Sequence, residues 1–260
     1  MLREIFTSSM QQVVELKPTV LASTDPEAVH DFRVALRRLR SNARSLSKFF
    51  ADSRGLKKLL DDLAWLDNLV GAARDAEVLV VTVNAVVPNL SVKQLAELSR
   101  QLLDHKESAR VAMLVNLGSK RAHQVLTDSQ NFLNTTEFKR EHLKKLRGQL
   151  KQLGKQAVKR VDSKLKKIKF DSAPPAKLHT IRILSKRARY LLEATGQTAE
   201  VERMTEIQTL LGEFNDLVVA GKWLKVRSDK FGLEKDVAKT VRAALRNQQI
   251  QQRRQLARQL

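Results

Sequence analysis

The chain has 260 residues, with 48 Lys and Arg against 28 Asp and Glu, a formal net charge of +20, and no cysteine. Disulfides, thiolate metal sites and cysteine nucleophiles are therefore excluded, and a hydrophobic content of 42% argues against wholesale disorder. So large a cationic excess repels itself in a folded chain and predicts a polyanionic partner: nucleic acid, an anionic membrane surface or an inorganic polyanion.

The opening "MLREIFTSSMQQVVELKPTV" lacks the apolar run of a signal peptide. The most apolar segment, "VLVVTVNAVV" from Val78, is about half the length needed to span a bilayer. The expectation is a soluble, cytoplasmic protein without membrane insertion. Gly and Pro are scarce, and apolar residues recur at spacings of three and four, which predicts an all-α chain. In "TDPE", Thr24 reads as an N-cap, with Pro26 in the first turn and Glu27 at the capping-box position. Gly71 predicts an end or kink after "LLDDLAWLDNLV", and Pro88 ends the valine-rich segment that follows. "SVKQ" from Ser91 is another capping box, opening a helical run expected to break near Gly118. A strongly basic run from Thr136 to Phe170 carries one apolar seam: Leu143, Leu146, Leu150, Leu153, Ala157, Val161, Leu165 and Ile168. "DSAPPAK" from Asp171 is the clearest linker, since two prolines cannot continue a helix. Helices resume near Lys177, with breaks expected near Gly196, Gly212 and Gly232.

An internal repeat emerges across that linker. "LHTIRILSKRARYLLEA" from Leu178 lies over "VHDFRVALRRLRSNARS" from Val29 without a gap. His179 matches His30, Arg182 matches Arg33, Lys186 matches Arg37, Arg187 matches Arg38, and Arg189 matches Arg40. Downstream, "LDNLVGAARDAEVL" is echoed by "IQTLLGEFNDLVVA", pairing Gly71 with Gly212 and Asp75 with Asp216. The reading is two related helical halves, 1–170 with its extended basic helix and 171–260, within one domain.

On a helix, His30, Arg33, Arg37, Arg40 and Arg44 fall within an arc of roughly 80°. Phe32, Leu36, Leu39, Ala43 and Leu46 fill the adjoining arc and form a core face. In the second copy His179, Arg182, Lys186 and Arg189 share one arc, with Ile181, Leu184, Ala188 and Leu192 towards the core. The cationic heads repeat at roughly 5–10 Å along the axis, a spacing that meets consecutive phosphates, with arginine pairing to phosphate oxygens in a fork. Few acids at i±4 offset the stripe, so it is not an ordinary ion-pair ladder. Asp75, Asp216 and Glu193 read as structural acids that cap a helix or pair with stripe arginines. Each histidine has two readings, direct ligand contact or support of the helix.

These paired motifs resemble the CHAD domain, the conserved histidine α-helical domain. The resemblance covers essentially the whole chain. It implies an all-α fold of two four-helix bundles related by approximate two-fold symmetry, with a basic groove or cavity lined by the repeated helices. It also implies binding of inorganic polyphosphate and association with polyphosphate granules. Carried over by position, the ligand residues are His30, Arg33, Arg37, Arg38, Arg40 and Arg44, and His179, Arg182, Lys186, Arg187 and Arg189. Arg74 in "GAARD" is replaced by Asn215 in the second copy, so a role for that arginine is one-sided. Relatives are often fused to a triphosphate-tunnel domain with an E-x-E-x-K motif. "EVERM" from Glu200 has methionine where the lysine belongs, and predicts a free-standing domain.

No G-x-x-x-x-G-K-[ST] loop, H-E-x-x-H motif or two-metal constellation occurs in the sequence. His105, His123 and His142 read as isolated surface residues. The expectation is a binding module rather than an enzyme, with no cofactor and no metal. The rival partner is nucleic acid, since residues 139–169 alone suit a phosphate backbone. Aromatics at 5% leave few stacking platforms for bases. A helical adaptor using the Leu143–Ile168 seam is a third reading, against the simpler one that the seam packs inside its own bundle.

Overall fold

The computed structural model describes residues 1–230 and 232–260. Ten α-helices occur among them: α1 Leu2–Ala22, α2 Pro26–Ser45, α3 Ser53–Asn84, α4 Val92–Leu117, α5 Lys120–Thr135, α6 Arg140–Leu143, α7 Leu146–Leu165, α8 Pro175–Ala194, α9 Val201–Lys230 and α10 Lys235–Gln259. No strand forms among the described residues, where Phe50 and Phe138 make an isolated antiparallel bridge. The all-α expectation holds, and "VLVVTVNAVV" is helical through Asn84.

Local chemistry explains most boundaries. Asp25, not Thr24, caps α2: its carboxylate accepts the Glu27 N–H at 2.9 Å, with Pro26 as the first helical residue. Ser91 and Gln94 form the expected capping box at α4, the Ser91 hydroxyl accepting the Gln94 N–H at 3.3 Å and the Gln94 side chain accepting the Ser91 N–H at 3.2 Å. The chain turns at Gly118, and Ser119 caps α5. Gly196 and Gly232 have positive φ, of 70° and 73°, in turns between helices. Gly71 and Gly212 end nothing: they lie inside α3 and α9. The seam of the basic run is interrupted, because α6 stops at Leu143, α7 starts at Leu146, and Ile168 lies beyond the end of α7.

Two compact units are present. The first comprises Met1–Arg74, Ala109–Ala157 and Arg187–Val201, the second Asp75–Ser108, Val158–Lys186 and Glu202–Leu260. The division cuts α3, α4, α7 and α8, and separates Val201 from the rest of α9, while Val158–Lys186 runs across the Asp171–Lys177 linker within one unit. Compact units and sequence halves are therefore different divisions of this chain.

The core of the first unit packs Phe6, Met10 and Val13 of α1 with Phe32, Leu36, Leu39 and Ala43 of α2 and Leu59, Leu63, Leu66 and Val70 of α3. The expected core face of α2 is thus the buried one, and Leu150 of the basic run joins it. Burying side chains of this size contributes about 1.5–3 kcal/mol each. Phe6, Phe50 and Phe138 close one end, with centroids 5.0 and 5.2 Å from that of Phe50. The second unit packs Leu79 and Val83 of α3, Leu98 and Leu102 of α4, Leu217 and Leu224 of α9, and Val237, Val241 and Leu245 of α10. No described helix is long and apolar enough to cross a membrane.

Candidate functional site

In the first unit the arginines of α2 emerge beside its buried face and meet an acid from α3. Arg37 Nε donates to Asp67 Oδ1 at 2.9 Å, Arg40 Nη1 donates to Oδ2 at 3.2 Å, and Arg33 Nε lies 3.7 Å from Oδ1. The Asp67 side chain is only 9% exposed. Three guanidiniums thus share one buried carboxylate, which fixes their directions and leaves the group net positive. Arg33 also lies on the α3 backbone. A Cβ on Gly71 would stand 3.4 Å from Arg33 Nη2, so glycine at that point of α3 leaves the surface bare for the guanidinium.

The last two turns of α8 bring the rest. Glu193 takes Arg189 at 2.9 Å and Arg38 at 3.1 Å. Buried Tyr190 presents its ring to both, 4.7 Å from Arg189 and 5.8 Å from Arg38. Glu193 therefore pairs with arginines of both helices, as its position suggested. Arg187 has like-charged neighbours instead. Partial burial and the nearby Arg44 and Arg40 guanidiniums hold it below its ordinary value. Arg44 and Arg187 form no ion pair with a carboxylate among the described residues, and both are exposed. Of the seven arginines gathered here (33, 37, 38, 40, 44, 187 and 189), five share Asp67 and Glu193, and two lack a carboxylate.

His30 is half-buried near the start of α2. With exposed Glu27 and Asp31 it brings three metal-type donor atoms within 4.8 Å of one another, and Glu27 also faces Arg74 at 3.6 Å. The arginine in "GAARD" thus does its pairing at the start of α2.

In the second unit the first turns of α8 place His179, Arg182 and Lys186 against α9. His179 Nδ1 and Asn215 Oδ1 are 2.8 Å apart, so Asn215 orients the ring. Asn215 occupies the position of Arg74 in the first copy, and the substitution supplies a partner for the histidine. A Cβ on Gly212 would stand 3.5 Å from Arg182 Nε, repeating the Gly71–Arg33 approach. Asp216 lies in mid-helix and caps nothing. Burial pushes its carboxyl above its ordinary value; Arg182, Asn215 and Lys186 pull it down, while Asp75 pushes it up. Asp216 thus faces the stripe cations, the second of the two roles its position allowed.

The structure therefore gathers Arg33, Arg37, Arg38, Arg40, Arg44, Arg187 and Arg189 in one unit, and His179, Arg182 and Lys186 in the other. His105 is not an isolated surface residue. It stands 3.1 Å from Arg227 and 5.5 Å from the Trp223 ring, and burial and Arg227 lower its proton affinity. His142 lies edge-on to Phe49 at 5.6 Å, and His123 is exposed.

Comparison with known proteins adds a relation to this geometry. A family model described as CHAD domain matches residues 4–225. Two uncharacterised proteins from two strains of Mycobacterium tuberculosis are each 30% identical over 221 residues, covering 76% of this chain and 40% of theirs. The chain thus spans about two fifths of the length of these curated relatives. Among solved structures, the CHAD domain from the plant Ricinus communis aligns with a TM-score of 0.78 at 24% identity, covering 100% of this chain and 92% of that one. PptA from Streptomyces chartreusis aligns with a TM-score of 0.81 at 18% identity, covering 99% and 96%. At these identities the two structures share the fold.

Proposed function

The chain belongs to the CHAD domain family, and we propose that it binds inorganic polyphosphate without altering it, through the arginines and histidines of α2 and α8. The observation that carries this reading is the set Arg40, Arg44 and Arg187 in the first unit. Like charges are brought together there, and partial burial together with the Arg44 and Arg40 guanidiniums holds Arg187 below its ordinary value. An arginine cluster with too few carboxylates is destabilised by its own repulsion, and a polyanion relieves it. Guanidiniums pair with phosphate oxygens in a planar fork, and Arg37, Arg38 and Arg40, anchored on Asp67 and Glu193, keep further N–H groups for the purpose.

Polyphosphate suits this chemistry better than a nucleic acid because it has no bases to recognise. The one tyrosine of the chain, Tyr190, is buried and faces arginine. On the same reading His179, with its ring set by Asn215, and Arg182 and Lys186 form the corresponding contact surface of the second unit. The proposed residence is at polyphosphate granules.

A titration with long-chain polyphosphate at increasing salt tests the reading. Binding should weaken linearly in log–log form, because releasing counterions into more concentrated salt gains less. Incubation of the same complex with a divalent cation should liberate no orthophosphate. Salt-insensitive binding would contradict the electrostatic mechanism, and liberated phosphate would make the protein an enzyme.

A further inference from the structure

The basic run of α7 takes no part in the arginine clusters. Within the second unit, the end of this helix and the turns after it carry Lys159, Arg160, Lys164, Lys166, Lys167 and Lys169, all exposed. Asp162 is the acid among them, and it is engaged by Arg203. The next acid, Asp171, acts on Arg253 of α10.

The backbone beneath these cations is held. The N–H groups of Lys166, Lys167 and Ile168 donate to the carbonyls of Asp162, Lys164 and Leu165. Phe170 and Ala173 are buried. Arg253 donates to the Phe170 carbonyl and lies 4.7 Å from the Phe214 ring, which fastens the segment to its own unit. Lys159 and Arg160 diverge by about 100° around α7, and Lys166 to Lys169 continue past its end. The charges therefore cover a broad face rather than one line.

The composition of that face selects its occupant. Lysine ammonium groups are compact, strongly hydrated charges without fork geometry, so they attract a phosphate backbone without dictating its conformation. No large hydrophobic side chain is exposed among the described residues between Leu143 and Val219, so no apolar wedge enters a bilayer. Phe170, the aromatic of this segment, is buried, so no platform stacks an unpaired base. A duplex offers two phosphate strands side by side, so cations spread over a broad face meet more of its charge than a single line of them would. We propose that this face is a second anion site that takes duplex nucleic acid by its phosphate backbone, irrespective of base sequence.

The test uses the full chain, a short labelled duplex DNA, long-chain polyphosphate and phosphatidylserine vesicles. The triple variant K164E/K166E/K167E should lose about tenfold or more in duplex affinity, with a salt slope shallower by about 0.9 for each lost phosphate contact. Its polyphosphate affinity should fall by less than its duplex affinity, since these lysines share no carboxylate with the arginine cluster. R44E/R187E should retain duplex binding. Unchanged duplex affinity in the triple variant overturns the proposal, as does loss of duplex binding in R44E/R187E. Vesicle binding that disappears in the triple variant while duplex binding persists would make the face a membrane contact and also overturn it. Failure of polyphosphate to bind the parent protein, with duplex binding intact, refutes the polyphosphate reading and leaves this inference standing.

Discussion

Asp67→Ala should destabilise the fold by about 3 kcal/mol, the lower part of the range for breaking a buried ion pair. The reason is geometric: Arg33, Arg37 and Arg40 all point at this carboxylate, and its removal leaves three partly buried guanidiniums facing one another. The cost stays at the low end because Arg37 and Arg40 are 29% and 27% exposed and water solvates part of their charge. For a chain of this size the change corresponds to a drop of about 6–12 °C in melting temperature. Asp67→Asn keeps an acceptor oxygen and should recover part of the loss.

Polyphosphate should then raise the melting temperature of Asp67→Ala by more than that of the parent. The guanidiniums released from Asp67 gain phosphate in its place, and a ligand at a hundred times its Kd contributes about 2.7 kcal/mol. A variant as stable as the parent would show that the three arginines do not depend on Asp67. An equal ligand-induced shift in both proteins would show that they do not meet the polyanion.

R44E/R187E should lower polyphosphate affinity at least about a hundredfold, because each lost charge-assisted hydrogen bond is worth about 1.5–3 kcal/mol. These two arginines are the choice because they lack a carboxylate, whereas Arg37 is committed to Asp67. Both are exposed, and the change turns the repulsion of Arg187 by Arg40 into attraction, so the melting temperature should not fall. K155E/K159E makes the same change in net charge on two exposed lysines of α7. It should cost less than about tenfold, the diffuse part of the attraction. Equal losses from the two variants would leave only diffuse electrostatics.

The repeated helices and their two faces were legible in the residues because both follow from spacing along a single helix. Phe32, Leu36, Leu39 and Ala43 are buried where the period of 3.6 puts them. Asp67 escaped that reading because it lies 27 to 34 residues from its partners, on another helix, and spacing within one helix does not reach it. A signal was present: Asp67 stands four residues before Gly71 in the echoed segment, and Gln208 takes its place before Gly212. The acid is thus a feature of the first copy alone.

The two glycines show the opposite difficulty. Glycine costs about 1 kcal/mol in a helix interior, so breaks at Gly71 and Gly212 were a reasonable expectation. Tertiary packing carries α3 and α9 through them, and the missing side chain makes room for Arg33 and Arg182. The break in the Leu143–Ile168 seam escaped for a related reason. The apolar spacing continues through Lys144 and Lys145, where the helix does not.

Displacement of labelled long-chain polyphosphate from the parent protein, at fixed salt and with competitors matched in phosphate concentration, tests the central claim most directly. Unlabelled polyphosphate should displace the label at concentrations about tenfold or more below those of duplex DNA, because fixed arginine forks favour a backbone free of bases and sugars. Duplex DNA that displaces the label equally well, phosphate for phosphate, would contradict it.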